Sequence, residues 1–116
     1  KPVSAPSVIT GYERVPRVAG ALFVVISQSG RSPDLVAATR AARDGGALTL
    51  AIVNDPTSLA ARAADLVLPI AAGPERAVAA TKTVVNSFLA SAALVAHWAG
   101  DRELAEGLGA LPARLG

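Results

Sequence analysis

Three hydroxyls, an amide and a glycine crowd into SQSGRSPD, residues 27–34. Ser27, Ser29 and Ser32 offer hydroxyl donors and Gln28 a carboxamide, a neutral set suited to one terminal phosphate group. To the left, Ala21 to Ile26 is an unbroken apolar run rich in β-branched residues, the pattern of a strand covered on both faces. To the right, Ser32-Pro33-Asp34 reads as a helix start: Ser32 as cap, Pro33 at the first position where no N–H is needed, Asp34 complementing the helix dipole. Free amides at such a helix start favour anions, and a glycine turn lets a phosphate approach the main chain. The stretch lacks both the G-x-x-x-x-G-K-[ST] and the G-x-G-x-x-G spacing. An ordinary turn whose serines satisfy nearby backbone groups is the competing reading, and spacing leaves both open.

A second string, PIAAGPERAVAATKT (69–83), repeats the logic. Gly73 reads as a turn and Pro74-Glu75 as a helix start, with Thr81 and Lys82 one turn further in, reaching the same rim. Glu75 is the one carboxylate placed to act as a general base there; a helix-start acid complementing the dipole is the plainer role. Lys82 is either a sugar contact or a helix lysine with a solvated head. His97, the sole histidine, falls near a helix end, where its natural role is a dipole contact. Nothing has metal-ligand or catalytic-triad spacing, and no cofactor is expected.

The elements that position these residues alternate. The pattern predicts strand 21–27, helix 33–44, strand 48–53 after the Gly45-Gly46 stop, a short helix near 58–64, strand 66–69, a long helix 75–98 ended by Gly100, and a last helix 102–111. Strand and helix in alternation with short connections predict a three-layer α/β/α sandwich on a mainly parallel sheet. Ligands in such folds bind beyond the carboxyl ends of the strands, here the loops 27–32, 54–56 and 71–76.

Composition narrows the rest. At 116 residues the chain is one domain's worth, and no apolar run is long enough for a membrane. The nine arginines and two lysines are scattered among acids for a formal net charge of +2, and aromatic residues make up 3%, so neither a basic stripe nor a stacking surface for nucleic acid exists. Without cysteine there is no disulfide framework and no thiolate chemistry, which fits a cytoplasmic setting.

The string S-Q-S-G-x-[ST]-x-D after an apolar strand, with G-x-E-x-x-V-A-x-T-K about forty residues on, resembles the sugar isomerase (SIS) domain. The likeness is strongest to the isomerase half of the glutamine–fructose-6-phosphate amidotransferases. It runs from about Val3 to Trp98, and AIVNDPTSLAARAADLVLPI (51–70) matches the family's short helix and strand. It implies a sugar-phosphate ligand, with Ser27, Gln28, Ser29 and Ser32 on the phosphate and Val78 and Lys82 in the second string lining the sugar end. Two departures stand out: Arg31 replaces the usual glutamate and Ala80 the usual serine. A domain of this family also opens with a strand, a G-x-G-x-S turn and a helix, none of which precedes Lys1, and no E-x-x-H-G string of the tandem domain is present. The resemblance therefore implies an incomplete domain that recognises phosphate without the isomerising base. Two function classes follow: part of a sugar-phosphate aminotransferase or isomerase, or a sugar-phosphate-sensing module of a transcriptional regulator.

The long helix adds an expectation about partners. Val78, Val85, Phe88, Ala92 and Val95 form a stripe that Val84, Leu89, Ala93 and Leu94 widen beyond the single face a surface helix needs. A second copy or a tandem domain is expected against it, unless the last helix covers it within the chain.

Overall fold

The computed structural model describes residues 17–75 and 80–115. The chain order is β1 (Leu22–Ser27), α1 (Pro33–Asp44), β2 (Leu48–Val53), α2 (Leu59–Ala63), β3 (Leu66–Pro69), α3 (Thr81–Ala99) and α4 (Arg102–Leu115). The three strands pair in parallel in the order β1-β2-β3, with Leu22 beside Leu48 and Leu50 beside Leu66.

Alternation along the strands divides the sheet into two faces. On one, Val25, Ala51 and Val53 pack with Val36 of α1 and Ala60, Ala61 and Ala63 of α2. The alanines let both helices lie close to the sheet. On the other face, Leu50 and Ile52 pack with Ile70, and Ala90 and Leu94 of α3 close over them. This is the expected three-layer arrangement. Ile52 and Val53 are fully buried, and side chains of this size contribute roughly 1.5–3 kcal/mol each.

One polar cluster fixes β3 beside β2. Thr49 donates its N–H (2.9 Å) and its hydroxyl (2.7 Å) to Asp65 Oδ2, and the Asp65 N–H donates back to Thr49 Oγ1 at 2.9 Å. The Thr49 hydroxyl bond, then the backbone bond, holds the Asp65 carboxyl below the usual carboxylate range.

Two helix boundaries depart from the sequence-based expectation. The long helix begins at Thr81, so Glu75 lies in the loop ahead of it and Thr81 and Lys82 sit in its first turn. Its cap residue, Ala80, adopts a left-handed conformation (φ 46°), so α3 starts there, and residues 76–79 of the expected helix lie outside the described residues. The last helix continues through Pro112 to Leu115 where a stop at 111 is expected; proline this late removes one helix hydrogen bond without ending the turn.

The last helix also covers only part of the apolar surface of α3. It packs beside the flank carrying Leu89, Ala90 and Ala93, whereas Val84, Val85, Phe88 (73% exposed), Val95 and Trp98 (69%) face outward. Val24 and Ile26 of β1, on the same side of the sheet, are exposed as well.

Candidate functional site

The first loop turns on Gly30. Its φ of 60° lies in the left-handed region, and a Cβ there would run into Ser58 Oγ and come within 2.6 Å of Ser58 Cβ. Only glycine meets both demands. The Gly30 carbonyl also accepts the Ala60 N–H at 2.9 Å, so the loop is held against the start of α2. Ser27 Oγ accepts the Gly30 N–H at 3.0 Å and Ser29 Oγ the Arg31 N–H at 3.4 Å. Both serines thus shape the loop as acceptors, which uses neither hydroxyl proton. The expected side-chain cap at Ser32 does not form: its carbonyl takes the Val36 N–H at 3.1 Å, but its hydroxyl makes no cap bond. α1 thus starts on Pro33 with its first amides uncapped by that side chain.

A salt bridge flanks this loop. Arg31 Nη2 lies 3.7 Å from Asp55 Oδ2 in the loop after β2. The other carboxylate oxygen accepts the Thr57 hydroxyl at 2.6 Å and the Thr57 N–H at 2.9 Å. Those Thr57 bonds, more than the Arg31 charge, lower the Asp55 pKa.

The loop after β3 is held from three sides. Asn54 Nδ2 donates to the Gly73 carbonyl at 2.8 Å while its Oδ1 accepts the Ala72 N–H at 2.9 Å. This clamp spans a backbone with two left-handed residues, Ala71 (φ 56°) and Gly73 (φ 69°). Lys82 Nζ donates to the Pro74 carbonyl at 3.1 Å. Glu75 Oε2 accepts both the N–H and the hydroxyl of Thr83, each at 3.1 Å. Glu75 therefore serves the helix N-terminus from outside the helix, satisfying an amide of the first turn.

Between the end of β1 with the first loop and α3 lies a hollow of about 420 Å³, walled on its apolar side by Ile26 and Val84. Ser27 and Gln28 line it from the first loop; Ala80, Thr83, Ser87 and Phe88 line it from α3. Thr83, Ser87 and Ser91 follow one helical face at four-residue spacing, and the Ser87 and Ser91 hydroxyls donate to the carbonyls of Thr83 and Ser87. Ser29 and Ser32 sit on the loop outside this lining. Lys82 borders a separate depression with Ala72, Thr81 and Asn86, on the other side of α3. Val78 lies outside the described residues. A larger hollow of about 590 Å³ between β3, α3 and α4 is lined by apolar side chains with Asn86 and His97. Asn86 donates to the Ile70 carbonyl and His97 Nδ1 to the Ala93 carbonyl. Pro69 and Ile70 at the foot of the second string line this larger hollow but no residue of the first loop does, so the smaller hollow is the better candidate.

Among the described residues no group of three His, Asp or Glu side chains is placed to hold a metal ion, and no helix is long and apolar enough to cross a membrane.

The family described as the SIS domain matches residues 18–97. The chain belongs to the SIS domain family. Over 78 residues, 67% of the chain, it is 50% identical to a protein of Zymomonas mobilis subsp. mobilis named glutamine–fructose-6-phosphate aminotransferase (isomerizing). A protein of the same name from Bradyrhizobium diazoefficiens is 42% identical over 91 residues, 78% of the chain. The chain spans 13% and 15% of those two relatives' lengths. A crystal structure from Silicibacter pomeroyi DSS-3, provisionally assigned as a phosphosugar isomerase, superposes with a TM-score of 0.91 at 46% identity. That match covers 95% of this chain and 34% of the neighbour.

In this SIS domain, then, Ser27, Gln28, Ser29 and Ser32 are gathered on one loop, while Lys82 and Glu75 are engaged with the loop after β3 and with α3. Sequence reasoning passed over Asn54 as a clamp and Thr83 and Ser87 as lining residues. The four-residue recurrence of Thr83, Ser87 and Ser91 was the available signal, since it puts three hydroxyls on one face of a helix.

Proposed function

We propose that this SIS domain binds the phosphate of a hexose or hexosamine phosphate in the Ser27–Ser32 loop, as part of a sugar-phosphate aminotransferase- or isomerase-like protein. The observation that supports it most is the hydrogen-bond polarity of the loop. Ser27 and Ser29 accept backbone N–H groups, so their hydroxyl protons are directed to other acceptors, beside a helix start whose cap side chain makes no cap bond. The names of the relatives and of the structural neighbour agree with a sugar-phosphate ligand.

The adjoining hollow suits the sugar, with Gln28, Thr83 and Ser87 as polar contacts and Phe88 as an apolar wall. The chemical step is assigned to groups outside this segment, because Glu75 is engaged by Thr83 and recognition without a positioned base adds little to the chemical rate. Calorimetry with fructose 6-phosphate or glucosamine 6-phosphate tests the reading. A hydrogen bond to a charged group contributes about 1.5–3 kcal/mol, so Ser29→Ala is expected to weaken binding roughly tenfold or more. Ser27→Ala is expected to do the same and in addition to loosen the turn at Gly30. Unchanged affinity in the double variant contradicts the assignment.

A further inference from the structure

The neutral donors of the first loop match the shape of a phosphate but balance none of its formal charge. A phosphate monoester carries close to two negative charges at neutral pH, and serine hydroxyls, a glutamine amide and backbone N–H groups supply no formal positive charge. The loop carries one cation, Arg31, flanked by Gly30 and Ser32. Lys82 is bonded to the Pro74 carbonyl and borders a different depression.

Arg31 is held in a way that is easy to release. Its side chain is 74% exposed, and its partner oxygen on Asp55 is 3.7 Å away, beyond ordinary hydrogen-bond length. Exposed pairs of this kind contribute little to stability. Asp55, by contrast, is held twice: its Oδ1 is engaged by both donors of Thr57, which leaves Oδ2 as the counter-ion of an exposed guanidinium.

We infer that Arg31 is the specificity-determining residue for the charge of the ligand, exchanging Asp55 for the second negative charge of a phosphate monoester, and that Asp55 is its positioning residue. The guanidinium presents a planar fork of donors that pairs with two phosphate oxygens at once. Bound to a phosphate dianion it gains more than it loses on leaving Asp55. Bound to a monoanion of the same tetrahedral shape it gains little. The ligand class is thereby narrowed to dianionic phosphomonoesters. This inference rests on the phosphosugar reading above.

The test compares glucose 6-phosphate with glucose 6-sulfate, which has the same shape and one charge fewer, by calorimetry on the protein and four variants. The wild type is expected to prefer the phosphate ester by tenfold or more. Arg31→Gln is expected to reduce that preference to less than threefold, chiefly through lost phosphate affinity, and Arg31→Lys to restore part of it. Asp55→Asn is expected to tighten phosphate binding severalfold, because the competing counter-ion is removed; a merely structural Asp55 would not do this. Raising the salt concentration is expected to weaken phosphate binding more in the wild type than in Arg31→Gln. A phosphate-to-sulfate preference unchanged in Arg31→Gln, with binding still weakened by Ser29→Ala, overturns the role of Arg31 and leaves the phosphosugar reading standing. Failure of the wild type to bind either ester overturns both.

Discussion

Gly30 and Ser58 meet so closely that neither tolerates an added atom between them, and this contact sets the first loop against the start of α2. A methyl group on Gly30 faces two costs. Its left-handed backbone disfavours a Cβ by about 1–2 kcal/mol, and overpacking against Ser58 costs typically 1–3 kcal/mol. Gly30→Ala is therefore expected to lower the melting temperature by on the order of 10 °C or more. Combining it with Ser58→Gly should recover the overpacking part but not the backbone part, a non-additivity that a double-mutant cycle on thermal melts reads directly.

Asn54 makes a second prediction. Replacing it with leucine removes two hydrogen bonds to the backbone of residues 72 and 73, each worth about 0.5–1.5 kcal/mol. The Ala72 amide, which loses its acceptor, is expected to exchange with solvent roughly tenfold faster or more by hydrogen-exchange mass spectrometry or NMR. Exchange at the wild-type rate would mean that the loop after β3 is held by other contacts.

Acid sensitivity follows from Asp65. Its carboxyl is held below its usual range, first by the Thr49 hydroxyl and then by the Thr49 N–H. A carboxylate with a lowered pKa in the folded state contributes stability that is present above its unfolded value of about 4 and is lost as pH falls through the lowered folded value. The melting temperature of the wild type is expected to drop on going from pH 5 to pH 2. In Asp65→Asn, which does not titrate, that drop should be smaller and the protein less stable at pH 7. Parallel pH profiles for the two proteins would remove Asp65 from the account.

How much of this was legible in the sequence depended on whether the signal was local. The strands were, because Leu22–Ser27 and Leu48–Val53 are apolar runs bounded by glycine and polar turns. So was the handover from β1 to α1, since Ser32-Pro33-Asp34 carries its own start signal. The start of α3 was not. Gly73-Pro74-Glu75 satisfies the same local rule, yet Glu75 acts eight residues away on Thr83, a reach that no rule of neighbouring offsets contains. The shift moved Thr81 and Lys82 into the first turn, with Lys82 on the opposite side of α3 from Ser27 and Gln28. Breadth of the apolar surface on α3 was visible as a pattern; which flank α4 would take was not, because that is decided by packing.

The flank left outward yields a prediction about association. Val95 and Trp98 are exposed on α3 beside the hollow walled by Ile26, Val84 and Phe88, an arrangement that in a monomer invites self-association across the rim of that hollow. A second copy or a tandem domain is expected against it. Trp98 is the only tryptophan of the chain and is largely exposed, so its emission should shift to the blue as protein concentration rises, and Phe88→Ser should suppress that shift. A monomer by sedimentation at micromolar concentration, with no binding of an apolar dye, would contradict the expectation.

Whether the first loop is a phosphate cradle is read off a crystal structure with glucose 6-phosphate bound. The phosphorus atom is expected over the start of α1, with phosphate oxygens within hydrogen-bond distance of the Ser27, Ser29 and Ser32 hydroxyls, and the sugar directed into the hollow toward Thr83. A phosphate bound instead at the depression beside Lys82, or in the apolar hollow between β3 and α4, would contradict it.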